Sequence, residues 1–141
     1  MNPINEKLKD AAKSNNPDEV EKAVVVAFEA GLTKDLTESL IRLMGLEWHR
    51  RHEDIARALQ ELKDPSAIDV LYNTALKEFE YLDYDEFYGL ARKCTWALAD
   101  IGTDAAKGKL YELAKCNNPK IQEYAQKRLD NWEKEIPRKG V

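Results

Sequence analysis

The stretch Ile55-Ala56-Arg57-Ala58-Leu59-Gln60-Glu61-Leu62-Lys63-Asp64-Pro65-Ser66-Ala67-Ile68 has an echo in Ala97-Leu98-Ala99-Asp100-Ile101-Gly102-Thr103-Asp104-Ala105-Ala106. Within the first, Ile55, Ala58, Leu59 and Leu62 recur at the spacing of one helix face. Asp64-Pro65 then restarts the chain: an Asp side chain caps free amides, and Pro at the first helical position gives up no intrahelical hydrogen bond. A shift of 39 positions lays Ala58 on Ala97, Leu59 on Leu98, Leu62 on Ile101, Ala67 on Ala106, Leu71 on Leu110, Tyr72 on Tyr111 and Ala75 on Ala114. A repeat of roughly 40 residues built as helix, tight turn, helix is the unit of stacked helical arrays, because one pair cannot bury its apolar face alone.

The same periodicity runs through Val20, Ala23, Val24, Ala27 and Phe28, through Ile68, Leu71, Tyr72, Ala75, Leu76 and Phe79, and through Phe87, Leu90, Ala91, Cys94, Ala97, Leu98 and Ile101. The one β-branched cluster, Val24-Val25-Val26, lies inside the first of these helical patterns, so strand signals are nearly absent. Asn16-Pro17 and Asn118-Pro119 start helices as Asp64-Pro65 does, Thr33 and Thr103 can cap the segments they precede, and Gly31, Gly45 and Gly102 suit the left-handed residue that ends a helix. These signals predict an all-α fold with helices over 4–13, 17–30, 34–44, 51–63, 65–79, 86–101, 104–116 and 119–133. A third copy of the repeat begins at Pro119, where Ile121, Ala125, Leu129 and Trp132 fall over Leu90, Cys94, Leu98 and Ile101. Residues 1–133 are expected to form one domain, with a cap or degenerate repeat over 1–45 and clearer repeats over 50–133. The tail 134–141 is expected to fray.

The two quoted segments resemble HEAT repeats, particularly the short bacterial type also found in phycobilin lyases. That resemblance implies a short α-solenoid, a superhelix of about seven to eight helices, and is nearly silent on function. Composition narrows the classes. The chain has 141 residues, 43% hydrophobic and 34% charged, with a net charge of −4 and two Cys. That is enough apolar content for a core and too little cysteine for a disulfide framework. No apolar run approaches the roughly 18–20 residues that span a bilayer. The first residues lack the apolar stretch of a secretory signal, so a reduced, cytoplasmic setting is expected. The acidic balance argues against direct nucleic-acid binding.

Glu78-Phe79-Glu80-Tyr81-Leu82-Asp83-Tyr84-Asp85-Glu86-Phe87-Tyr88 holds five acids, five aromatics and no base. It falls where the repeat is longer than an inter-helix turn needs. Aromatic rings give large contact area at small entropic cost and a one-sign field steers an oppositely charged partner, so Glu80, Tyr81, Asp83, Tyr84, Asp85, Glu86 and Tyr88 are candidate partner-binding residues. The bland alternative is that Phe79 and Phe87 are core while the acids solvate a loop. Trp96 falls off the buried stripe of its helix and is either a second anchor or packed on a neighbouring repeat. Trp48-His49-Arg50-Arg51-His52-Glu53-Asp54 offers Trp48, His49 and His52 as further partner-binding candidates, against polar contacts at a helix start. Two His and two distant Cys are too few for a zinc site, so no metal and no cofactor are expected. Cys94 lies on the apolar stripe, and there is no nucleophile motif or phosphate loop.

Three segments carry a second resemblance: Trp48 to Asp54, Tyr81 to Glu86 and Lys93 to Leu98. Together with the repeat they resemble immunity proteins of polymorphic toxin systems. This implies a non-catalytic inhibitor that binds a cognate toxin domain, and an acidic inhibitor suits a basic domain such as a nuclease. Two other readings remain. One is a HEAT-repeat adaptor or phycobilin-lyase-like accessory protein. The other is an enzyme on this scaffold, of the deoxyhypusine hydroxylase or DNA glycosylase type. Arg51-His52-Glu53 supplies one His-Glu pair where the hydroxylase uses several, and a glycosylase needs a basic groove.

Overall fold

A computed structural model describes residues 2–141; Met1 lies outside them. The described residues form eight α-helices and no strand: α1 (Pro3–Lys13), α2 (Pro17–Ala30), α3 (Thr37–Met44), α4 (His52–Leu62), α5 (Ile68–Leu76), α6 (Gly89–Ile101), α7 (Asp104–Leu113) and α8 (Pro119–Asp130). Single turns of tighter helix lead into α3 (Lys34–Leu36) and α5 (Pro65–Ala67). The capping signals act locally and as expected: the side chains of Asn16, Asp64, Thr103 and Asn118 each accept a backbone N–H of the following turn. Asn2 does the same for α1. Thr33 makes no such bond and instead donates to Asp35. Gly102 is left-handed at φ +80°, whereas Gly45 stays right-handed and Lys63, not a glycine, ends α4 in the left-handed region.

Each odd helix packs against the even helix that follows it, and α4, α6 and α8 then contact in succession, as do α1, α3, α5 and α7. Of the positions paired by the 39-residue shift, Tyr72 and Tyr111 and likewise Ala75 and Ala114 differ in burial, and the other pairs are buried alike. Ala58, Leu59, Ala67 and Leu71 are fully buried, and so are Ala97, Leu98, Ala106 and Leu110. Leu8, Val20, Leu40, Met44 and Ile55 extend the same core toward the N-terminal helices.

The C-terminal tail does not fray. Arg138 donates from Nε (3.0 Å) and Nη2 (2.8 Å) to the two carboxylate oxygens of Asp100, the Gly140 amide donates to the Asp100 carbonyl (2.8 Å), and Lys139 Nζ donates to the Ala99 carbonyl (2.8 Å). Asp100 is 3% exposed, and a carboxylate taken out of water requires partners. The tail supplies them, with Gln60 adding a 3.0 Å bond. Close approach of the tail depends on Gly102, where a Cβ would come within 2.5 Å of the Lys139 Cβ.

Candidate functional site

The acidic aromatic segment lies between α5 and α6, and the structure divides it into an inward and an outward half. The inward half begins with the end of α3. The last carbonyls of a helix lack intrahelical donors. The Leu46 amide donates to the Leu43 carbonyl (3.1 Å), and two histidines add donors: at 2.6 Å each, His49 Nε2 donates to the same Leu43 carbonyl and His52 Nε2 to the carbonyl of Leu46, just past the helix. Because both Nε2 atoms face carbonyls they carry the protons, which leaves each Nδ1 as an acceptor. His49 Nδ1 accepts the Arg51 amide (3.1 Å), and His52 Nδ1 accepts the Tyr81 hydroxyl (2.7 Å).

The two imidazoles stack with centroids 4.2 Å apart, and Phe79 lies 4.2 Å from the other side of the pairing, against His52. Burial holds both rings neutral. It pushes His52 down to about 4, with repulsion from His49 adding to the shift and the Leu46 carbonyl opposing it; His49 is lowered for the same first reason. Burial likewise raises Tyr81 to about 12.

This arrangement turns four of the expected contact residues inward, His49 and His52 wholly and Tyr81 and Trp48 in part. His49 and His52 are fully buried and have every ring nitrogen in a hydrogen bond, so they present nothing to a partner. Tyr81 is half-buried, with its hydroxyl turned inward to His52. Trp48 is half-buried, with its ring edge-on to His49 at 5.8 Å. What these residues do is anchor the base of the segment to the junction of α3 and α4.

The outward half is different. Tyr84 is 81% exposed, Phe87 66% and Tyr88 37%, beside the exposed carboxylates of Glu80, Asp83 and Glu86. The geometry comes from Asp85, whose two oxygens accept the amides of Phe87 (3.0 Å) and Gly89 (2.9 Å) and so start α6 at Gly89. A Cβ at Gly89 would lie 2.9 Å from Asp85 Oδ2, so a larger residue there would push the capping carboxylate aside. Tyr88 is then held left-handed at φ +54°, a conformation that costs a bulky L-residue about 1–2 kcal/mol. Such strain persists where the surroundings over-determine it, and it is concentrated at functional sites.

Phe87, expected on the core stripe of a helix starting at 86, is therefore turned into solvent by the later helix start. It belongs with the exposed aromatics and was missing from the expected contact residues; the Asp85–Gly89 capping pattern was the signal for it. Lys120 Nζ lies 5.8 Å from its ring, and its carbonyl accepts the Tyr124 hydroxyl.

Trp96 is half-buried, and its ring is covered by guanidinium groups: Arg128 lies 3.5 Å and Arg138 4.6 Å from its centroid. Arg128 in turn pairs with Glu135 at 2.6 Å. Trp96 thus helps hold the tail and α8, within α6 rather than at its start beside Tyr88, and is no open anchor. Cys94 is fully buried as expected, and burial pushes its thiol up to about 12. Among the described residues no three His, Cys, Asp or Glu side chains are grouped to hold a metal ion, and no helix is long and apolar enough to cross a membrane. No protein-family model, curated protein or solved structure matches this chain.

Proposed function

We propose that this chain is a non-catalytic protein-binding module, built as a short α-solenoid of HEAT-like hairpins, whose exposed segment 80–88 grips a basic protein. The observation that carries this reading is the pairing of Tyr84, Phe87 and Tyr88 at the surface with Glu80, Asp83 and Glu86, on a loop fixed underneath by His52, Phe79 and Tyr81. Rigid aromatics on an anchored frame bind with little ordering cost, and the carboxylates around them steer a basic surface into place. The solenoid reading is supported by the sequence repeat and by the succession of contacts among α4, α6 and α8 and among α1, α3, α5 and α7.

The partner we propose is a bacterial toxin domain, possessing a basic surface such as a nuclease has, which this protein would neutralise in the cytoplasm as an immunity protein. The resemblance of the segments around Trp48, Tyr81 and Lys93 supports that choice. The non-catalytic reading is supported by the histidines, which are fully hydrogen-bonded and held neutral, and by the Cys94 thiol, which burial keeps protonated.

The test is affinity capture of the tagged full chain from its native cells, followed by mass spectrometry. A stoichiometric basic protein carrying a toxin-like C-terminal domain, inhibited by the purified chain, is the expected result. Recovery of a metabolic enzyme or a pigment protein would transfer the chain to the adaptor or accessory class.

A further inference from the structure

The tail 136–141 lies on the surface with no apolar residue buried: Ile136 is 49% and Val141 79% exposed, and Pro137 is exposed as well. Three consecutive residues hold it, each met by its own groups where α4 and α6 end. The Arg138 guanidinium donates to both carboxylate oxygens of Asp100 and lies 4.6 Å from the centre of the Trp96 ring. Lys139 Nζ donates to the Ala99 carbonyl and lies 3.7 Å from the centre of the Trp132 ring. The Gly140 amide donates to the Asp100 carbonyl, and the chain passes so close that a Cβ there would lie 2.9 Å from the Lys63 Cβ and 3.2 Å from the Lys63 carbonyl oxygen. These surroundings select an arginine, a lysine and a residue without a side chain, in that order. Bidentate bonding and stacking favour the guanidinium at the first position, and the negative ends of two helices favour both cations.

Two features make the contact exchangeable. Taking the cation off the buried Asp100 carboxylate without replacement is costly, whereas a second arginine in its place restores the same bonds. A cleft of about 480 Å³ lined by Arg57, Gln60, Glu61, Lys63, Asp100 and Arg138 also lies open beside the pair, so an incoming guanidinium can approach before Arg138 leaves.

We infer that the ends of α4 and α6 form a binding site for an Arg-Lys-Gly segment of the basic protein partner, which residues 138–140 occupy in the free chain as an internal competitor. A tethered segment competes at an effective concentration on the order of millimolar, so a partner displaces it only when it is also gripped elsewhere, as by Tyr84 and Phe87. The inference rests on the protein-binding reading for the source of the segment, and adds to it a second contact and the residue order that contact selects.

The experiment needs the full chain and a peptide. Isotope-labelled protein is titrated with Nα-acetyl-Ile-Pro-Arg-Lys-Gly-Val amide, and separately with the same peptide carrying alanine in place of glycine, while backbone amide and indole N–H signals are followed. In Arg138→Ala/Lys139→Ala, whose own tail no longer competes, the glycine peptide should give saturable shifts at Trp96 and at Asp100 to Gly102 with a Kd of about 1 mM, and should raise the melting temperature toward that of the wild type. The wild type should bind it at least about tenfold more weakly, because its tail holds the site. The alanine peptide, equal in charge, should bind the variant at least about fivefold more weakly than the glycine peptide, through the clash with Lys63. Gly140→Ala loosens the tail by the same clash while Arg138 still covers Asp100; it should bind the glycine peptide about threefold more tightly than the wild type does, which keeps the test decisive if the double variant fails to fold. No saturable shift in either variant up to about 20 mM, equal affinity in the wild type and both variants, or equal binding of the two peptides overturns the inference. In that case, a captured partner that still depends on Tyr84 and Phe87 would leave the binding-module reading in place.

Discussion

Acidification from pH 7 to pH 4 should remove about 3 kcal/mol of folding stability through His52 alone. In the folded chain its imidazole is buried, with Nε2 donating to the Leu46 carbonyl and Nδ1 accepting the Tyr81 hydroxyl, so it takes up a proton only near 4; once the chain unfolds it does so near 6.5. Between those two values the unfolded state binds more protons than the folded one, and stability therefore falls as the pH falls. Above about pH 6.5 the contribution is complete, and below about 4 it is gone. The gap, at about 1.4 kcal/mol per pH unit, gives about 3 kcal/mol, and His49 acts in the same direction.

Urea unfolding followed by tryptophan fluorescence at pH 7, 6, 5 and 4 measures this, with His52→Phe as the reference that cannot titrate there. The variant begins less stable, since the Leu46 carbonyl and the Tyr81 hydroxyl lose their partner, but its stability should change with pH by about 3 kcal/mol less than that of the wild type. Carboxylates common to both chains cancel in the comparison. Equal pH dependence in the two, or an NMR titration placing His52 near 6.5 in the folded chain, would refute the reasoning.

Replacing Tyr84 and Tyr88 together by Ala should weaken partner binding by about 2 kcal/mol or more in calorimetry while the melting temperature barely moves; equal loss of folding would make those rings part of the core. Association measured by stopped flow should slow as salt rises, because the carboxylates of Glu80, Asp83 and Glu86 act mainly on encounter; an on-rate indifferent to salt would remove the steering role. Deleting residues 136–141 should cost about 2–3 kcal/mol in denaturant unfolding, since it strands the buried Asp100 carboxylate, and a change under 0.5 kcal/mol would show the tail to be dispensable. Gly102→Ala should destabilise by about 1–2 kcal/mol and expose the tail to proteolysis, because the residue is left-handed and its added Cβ meets Lys139; an unchanged proteolysis pattern would contradict the close packing.

The helix starts marked by Asn or Asp before Pro were legible in the sequence because they are local events. An Asn or Asp side chain two residues from the amide it caps is set by the chain itself, and Asn16, Asp64 and Asn118 do what their spacing predicts. The apolar stripes of α4 and α6 were legible for the same reason, and the shift of 39 positions pairs fully buried residues at Ala58 and Ala97, Leu59 and Leu98, Ala67 and Ala106, and Leu71 and Leu110. The tail was not, because its order depends on Arg138 reaching Asp100 across 38 positions. One clue existed: Asp100 sits in the run Ala97-Leu98-Ala99-Asp100-Ile101, and a carboxylate in an otherwise buried stretch demands a cation from somewhere.

The candidate site was half legible. Composition singled out the segment around Tyr84, and Tyr84 and Tyr88 are indeed at the surface. Composition could not divide the aromatics between inside and outside. That division follows from the Leu43 and Leu46 carbonyls, at and just past the end of α3, which accept from His49 and His52 and hold them inward with Tyr81, and from Asp85, which delays α6 and turns Phe87 outward.

The measurement that tests the central claim most directly is a side-by-side capture from native cells with the wild-type chain and with Tyr84→Ala/Phe87→Ala, after both have been shown to melt alike. A basic protein retained stoichiometrically by the wild type and lost from the variant is the predicted result. A partner held equally by both chains would place binding on another face and contradict the role given to the outward half of the loop.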